Sequence, residues 1–365
     1  MPRPSSSWLP SFLFATLATL ALCALPLAAR AEVPSPTITG PITSSGGAFV
    51  ASTSFDLAQV GYMQEEYFLS GTATAYTSAT ALASDGMWTV TPGATAAYKT
   101  RILVNRPIKA RKFNGTVVVE WLNVSGGLDA SPDWTLGHTE LIRSGFAWVG
   151  VSAQKGGIDG GGLSLGIVDL PLKKADPARY GSLIHPGDSF SYDMFSQVAQ
   201  AIRSPSGPPP LGDLRLKRVI AAGESQSAFR MVVYVDAVHP LAGIYDGFFV
   251  HSRGGGGAFG APLSEVPEPV VPTPTPTFIR GDIDVPVLTL QTESDLTFLN
   301  YFPARQDDTA HFRLWEAAGT AHADIYTILT GAGDLGTSPG IVELVVNAAP
   351  LPGLTPLPPA AGVVS

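Results

Sequence analysis

The stretch "RVIAAGESQSAFRMVVYV", residues 218–235, opens as an apolar run, breaks at Gly223-Glu224-Ser225-Gln226-Ser227, and resumes with apolar residues at helical spacing. An apolar run that stops at a glycine and restarts with a 3.6-residue period reads as a buried strand turning directly into a helix. So sharp a turn strains the residue at its apex, and strand and helix approach each other only if the residues two before and two after are small. Gly223 and Ser227 meet that requirement, with a serine standing where a second glycine is usual. The apex is Ser225, whose hydroxyl is aimed outward over a helix dipole that favours developing negative charge. The competing reading of Ser225 is a helix N-cap without chemistry.

The same rhythm extends to both sides. "GTVVVEWL" is a continuous β-branched run, "DWTLGHTELIRSG" has helical spacing closed by a glycine, and "FAWVGVSAQ" is another buried run. "SFSYDMFSQVAQAIRS" reads as a helix capped by Ser189 and stopped before Pro205. Beyond Ser225 the helix runs to about Val238, and "YDGFFVHSR", "VPVLTLQTESD" and "HFRLWEAAGTAHAD" give further strands, the last two running straight into polar loops. Fully apolar runs separated by helices predict an α/β architecture: a mostly parallel central sheet with helices on both faces. Upstream, "EEYFLSGTATAYTS" predicts a short strand and "YKTRILVNRP" a second. Residues 32–112 are thus a β-rich entry, and residues 113–335 the core. A Gly/Pro-rich excursion over 254–278 has two open readings, a lid over the functional edge or a passive linker. Residues 336–365 form a proline-rich tail.

Composition narrows the function. The 365 residues are 45% hydrophobic and 14% charged, with net charge −8, and no run of Lys or Arg exceeds two. Such a chain buries a large core and offers no electrostatic footing for nucleic acid. Residues 1–31 carry an early arginine, an apolar stretch and Ala29-Arg30-Ala31, the pattern of a secretory signal cleaved after Ala31. Pro10 and Pro26 bracket a stretch shorter than the roughly 20 apolar residues of a spanning helix, so no stable membrane span is expected after cleavage. Secreted or periplasmic localisation follows. The sole cysteine, Cys23, lies in that segment, which excludes a disulfide and a thiolate metal site from the mature chain. "GIDGGG" lacks the strand-to-helix setting of a dinucleotide fingerprint, and there is no H-E-x-x-H or Walker lysine motif. No metal or cofactor is called for.

A serine hydroxyl needs a base, and the base needs a carboxylate to hold it. In sheets with this kind of elbow the chain order is nucleophile, acid, histidine. His138 and His185 precede Ser225, His239 sits at a helix end, and His251 precedes any candidate acid loop. His311 enters the last strand, whereas His322 leaves it at the edge where functional groups collect, so His322 is the expected base. The acid should follow "VPVLTLQ": Asp295, deeper in the loop, with Glu293 as the alternative. Asp295 also competes as a helix N-cap, and Asp324 is too near His322 to orient it. An oxyanion needs two amides; Gln226, following the nucleophile, is one, and Asn123 or Val124 in "LNVSGGLDASPDW" the other.

The strings "NGTVVVEWLNVSGGLDASPDW", "ARYGSLIHPGDSFSYDMFSQ", "AAGESQSAFR", "YDGFFVHSRG", "LQTESD" and "LWEAAGTAHAD" resemble, in combination, the bacterial α/β-hydrolase-domain proteins that share a GESQS elbow. The resemblance spans roughly residues 40–335. It implies an α/β-hydrolase fold with a serine triad mapping onto Ser225, His322 and an acid in "TESD", and it leaves the substrate open. Such proteins close with an amphipathic helix after the histidine; here the prolines of "VVNAAPLPGLTPLPPAAGVVS" forbid one. The resulting expectation is an exported serine hydrolase, a carboxylesterase acting on a small-molecule or lipid-like ester. The alternatives are an amidase or acyltransferase using the same residues, or a non-catalytic binding protein that retains the fold.

Overall fold

The computed structural model describes residues 32–337, except 45, 162–164, 167 and 257–259. The expected signal segment, and all but the first two residues of the proline-rich tail, lie outside the described residues. Nine strands of the described residues form one sheet: β1 (Thr37–Thr39), β2 (Tyr62–Thr77), β3 (Thr91–Pro107), β4 (Thr116–Trp121), β5 (Ala147–Val151), β6 (Arg218–Glu224), β7 (Gly247–His251), β8 (Val287–Thr292) and β9 (Phe312–Ala317). Their order is β1-β2-β3-β5-β4-β6-β7-β8-β9. The pairs from β1 to β5 are antiparallel, and all pairs from β5 through β4 to β9 are parallel. The chain therefore reverses strand order between β4 and β5, next to β6.

The period of two along a strand sorts its side chains onto opposite faces. Val117, Val119 and Trp121 of β4 and Ala147, Val149 and Val151 of β5 join the larger core cluster with the helices Ser191–Arg203 and Gln226–Val233. Val118, Trp148 and Leu103 turn to the other face, where Trp134, Leu141 and Ile142 of the helix Pro132–Arg143 cover them. Both faces of the central strands are dry, which is why their sequences are apolar throughout rather than alternating. Trp134 packs on Trp148 with ring centroids 5.4 Å apart and belongs to the core.

Two local expectations need correction. The entry is not a pair of short strands: β2 and β3 are 16 and 17 residues long and pair from Tyr62↔Pro107 to Thr77↔Thr91. Their outer halves are rich in Ala, Thr and Gly, so hydrophobic patterning understates their length. Ser189 does not cap the following helix either. Its Oγ accepts from the Glu265 amide at 2.8 Å and donates to the Glu265 carbonyl at 2.8 Å, tying the 254–278 excursion to the domain. Tyr192 adds a hydrogen bond to the Pro262 carbonyl at 2.7 Å.

Candidate active site

Ser225 follows β6 directly and precedes the helix Gln226–Val233, with φ 55° and ψ −119°. A non-glycine residue in that region is strained, and the strain is sustained by what surrounds it. The Ser225 amide donates to the His251 carbonyl at 2.9 Å, extending the β6–β7 ladder up to the apex. A Cβ on Gly223 would lie 2.9 Å from the Ser227 carbonyl oxygen, so the strand can meet the helix only through a glycine there. Ser227 is fully buried, and its hydroxyl has no hydrogen-bond partner among the described residues. The side chain fits because it is small.

His322 lies in the loop after β9, with its Nε2 2.8 Å from Ser225 Oγ and its Nδ1 2.7 Å from Asp295 Oδ1. A carboxylate only accepts, so Nδ1 carries the proton and Nε2 is free to take the serine proton. Asp295 is fully buried. Its second oxygen accepts from the Thr292 amide at 2.7 Å, within a capping box that opens the helical turn Glu293–Thr297. The two sequence readings of Asp295, cap and orienting acid, thus describe the same carboxylate. Burial alone would raise its pKa, but the hydrogen bonds from His322 and from Thr292 hold it below the ordinary value. Burial alone would likewise lower the His322 pKa; the bond to Asp295 and the charges of Glu224 and Asp295 outweigh it and raise the imidazole.

The alternative acid, Glu293, turns elsewhere. Its Oε2 accepts from the Gly319 amide at 2.6 Å, and the neighbouring Ser294 Oγ accepts from the His322 amide at 2.7 Å. Three successive residues of "TESD" therefore hold the histidine loop: Glu293 and Ser294 by its backbone, Asp295 by its imidazole. Asp324 caps the turn after His322, accepting from the Thr327 amide at 2.8 Å.

Of the two oxyanion candidates after β4, Asn123 has its amide engaged within its own loop. Its amide donates to the Ala130 carbonyl at 2.9 Å, the reciprocal bond closing the loop. The Asn123 side chain points beneath the elbow, Nδ2 lying 3.2 Å from both the Glu224 carbonyl and Glu224 Oε2. Val124 and Gln226 both line a cavity of about 230 Å³, with Phe229, Arg230, Gln154, Asp188, Glu265 and the Gly260–Pro262 turn among its other walls. Gln226 opens its helix, so its amide has no intrahelical acceptor. The loop carrying Val124 is anchored by an ion pair that the sequence did not reveal, between fully buried Arg101 on β3 and Asp129.

A second set of ionisable groups lies next to the first. His251, ending β7, places Nδ1 2.9 Å from Asp133 Oδ1, and Glu224 Oε1 lies 3.5 Å from His322 Nε2. Burial pushes the Glu224 carboxyl up to about 7, with His322 and His251 pulling the other way. Burial would lower the His251 pKa, and the bond to Asp133 reverses that. Glu120 of β4 accepts from the amides of Asp133 and Trp134 at 2.9 Å each, at the start of the helix Pro132–Arg143. An acid inside each of two apolar strands, β4 and β6, was the available signal for both glutamates, because a buried carboxylate needs partners. Among the described residues no group of three or more His, Cys, Asp or Glu side chains is arranged to hold a metal ion, and no helix is long and apolar enough to cross a membrane.

The sheet order, with its reversal beside β6 and every candidate group beyond a carboxyl end, agrees with the comparison of family profiles: the alpha/beta hydrolase domain profile matches residues 38–351. The chain belongs to the α/β-hydrolase domain family. Solved structures also align with the chain at low similarity. One is a serine hydrolase of Xanthomonas campestris described as lidless, at 12% identity over 69% of this chain and 85% of that one, TM-score 0.33. Est1E of Butyrivibrio proteoclasticus, solved with ferulic acid, matches at 10% identity over 62% and 88%, TM-score 0.33. Acetyl xylan esterase 1 of a Thermoanaerobacterium species matches at 10% identity over 74% and 81%, TM-score 0.34. None of the curated proteins compared matches the chain.

Proposed function

We propose that the protein is an exported serine hydrolase acting as a carboxylesterase, with Ser225 as nucleophile, His322 as general base and acid, and Asp295 as the group that orients His322. The observation that carries this reading is the unbroken hydrogen-bonded line from Asp295 through His322 to Ser225, at 2.7 and 2.8 Å. Ser225 Oγ attacks the ester carbonyl as its proton passes to His322 Nε2, and the amides of Gln226 and Val124 receive the oxyanion. The protonated imidazole then gives its proton to the departing alkoxide, leaving an acyl-enzyme. Water, deprotonated by the same nitrogen, attacks the acyl carbon and restores Ser225. Export rests on the residue pattern of the first 31 positions.

The cavity beside Gln226 refines the substrate. Arg230 on its wall is buried and paired with Asp188 and Glu265 at 3.1 Å each. An alkyl chain laid on that wall would cover the Asp188 and Glu265 carboxylates, which keep some exposure, and return no hydrogen bond. A short acid or alcohol moiety bearing hydroxyls suits it better. The test is a panel of p-nitrophenyl esters of rising acyl length, short hydroxylated esters, and matched anilides. Highest kcat/KM on short or hydroxylated esters is expected. Faster cleavage of anilides than of matched esters would replace the esterase reading with an amidase, and a preference for long acyl chains would overturn the polar-pocket refinement.

A further inference from the structure

Glu224 is an acidic residue that ends a strand apolar from Val219 to Gly223, and the line from Asp295 to Ser225 does not use it. It lies between two imidazoles. Oε1 is 3.5 Å from His322 Nε2, the nitrogen that faces Ser225, and β6 pairs Glu224 directly with His251 on β7. Asn123 Nδ2 holds the other oxygen, Oε2, at 3.2 Å. Other groups acting on this carboxyl are Asp133, from the helix Pro132–Arg143, and Asp295, from the turn after β8. The residue is buried, so these neighbours, rather than water, set its state.

We propose that Glu224 is a second carboxylate for the catalytic imidazole, a positioning residue that stabilises His322 while Nε2 carries the serine proton. This rests on the Ser225–His322–Asp295 reading and deepens it. When Oγ bonds to the substrate carbon, its proton moves to Nε2 and His322 becomes a cation held from both sides: Asp295 at Nδ1, Glu224 beside Nε2. The Nε2–H then has two acceptors, the leaving-group oxygen and Glu224 Oε1. The proton is delivered to the former as the carbon–oxygen bond breaks, and Glu224 ends the step unchanged. The Asn123 contact explains why a loop asparagine whose amide is already used is buried beneath the elbow: its side chain aims this carboxyl. Each acts on the other: the Glu224 charge helps to raise the imidazole of His322, and His322 opposes the rise that burial imposes on Glu224.

The experiment measures fluorophosphonate labelling rate and p-nitrophenyl acetate kcat/KM against pH for wild type and Glu224→Gln, with Tm measured in parallel. Glutamine keeps the shape and removes the charge. The expected result is a Glu224→Gln protein that still labels at Ser225, whose acid limb lies about one unit lower than that of wild type, and whose plateau kcat is reduced with KM little changed. A folded Glu224→Gln protein with a wild-type acid limb overturns the inference while leaving the relay intact. A purely structural glutamate would lower Tm without moving the limb. Should Glu224→Gln not fold, Glu224→Asp, with its carboxyl withdrawn by one methylene, should shift the limb the same way by less; an unmoved limb there overturns the inference too. Absence of labelling in folded wild type is a different failure, that of the relay itself.

Discussion

His322 and His251 stand at the same rim of the sheet, one in the loop after β9 and one ending β7. Each is held through Nδ1 by an aspartate, Asp295 at 2.7 Å and Asp133 at 2.9 Å. Both aspartates belong to the first turn of a helix, and burial works against both imidazoles while the carboxylate raises them. They differ in what lies beyond. His322 meets the hydroxyl of a strained serine and keeps 24% of its side chain exposed, whereas His251 is 12% exposed and faces the Glu224 side of the elbow. A carboxylate–imidazole pair is thus common to both; what sets His322 apart is the elbow serine and access to the rim, the features on which the proposed function rests.

Ways to break that comparison can be ranked by expected effect. Ser225→Ala removes the hydroxyl that His322 meets and should lower kcat by about a millionfold and abolish the pre-steady-state burst, measured on p-nitrophenyl acetate. Asp295→Asn leaves shape and cap but favours the wrong imidazole tautomer, and a loss of about 10⁴ in kcat is expected. Glu293→Gln weakens the bond to the Gly319 amide and lets the histidine loop drift; kcat should fall roughly tenfold to a hundredfold with Ser225 still labelled. Asp133→Asn removes the negative charge facing His251 while leaving an acceptor oxygen, and should cost less than about tenfold in kcat/KM, the equivalent of about 1.36 kcal/mol. A larger loss in that last variant would mean that the two histidines share one function.

A stability measurement sharpens a different part. Asp129→Ala leaves the Arg101 guanidinium buried with only Glu66, at 3.5 Å, still opposite it. Unfolding in urea should show a loss of about 3 kcal/mol. The loop bearing Val124 depends on that pair, so kcat should fall as well, more than Tm alone accounts for.

What the sequence made legible was local or ordered along the chain. Gly223-Glu224-Ser225 announced the elbow because strand and helix signals abut there; chain order set aside His138, His185 and His251, a helix-end position His239, and strand polarity His311, leaving His322. Asp295 was preferred over Glu293 by depth in its loop, and it is the one that meets the imidazole. Contacts between distant segments were not legible. Asp133 meets His251 across 118 residues and Arg101 meets Asp129 across 28, and no periodicity links such positions. The Asn123 amide could not be discounted either, since its pairing with Ala130 appears only once the loop closes on itself. Ser189 has the composition of a cap and is claimed instead by Glu265, a tertiary partner that outweighs local preference.

The central claim is that Ser225 is a nucleophile activated by His322, and the most direct measurement is mass-spectrometric mapping of a fluorophosphonate adduct on intact folded protein. The account predicts one adduct, on the peptide carrying Ser225, absent from Ser225→Ala and formed far more slowly in His322→Ala. An adduct on another residue, or equal labelling of wild type and His322→Ala, would contradict it.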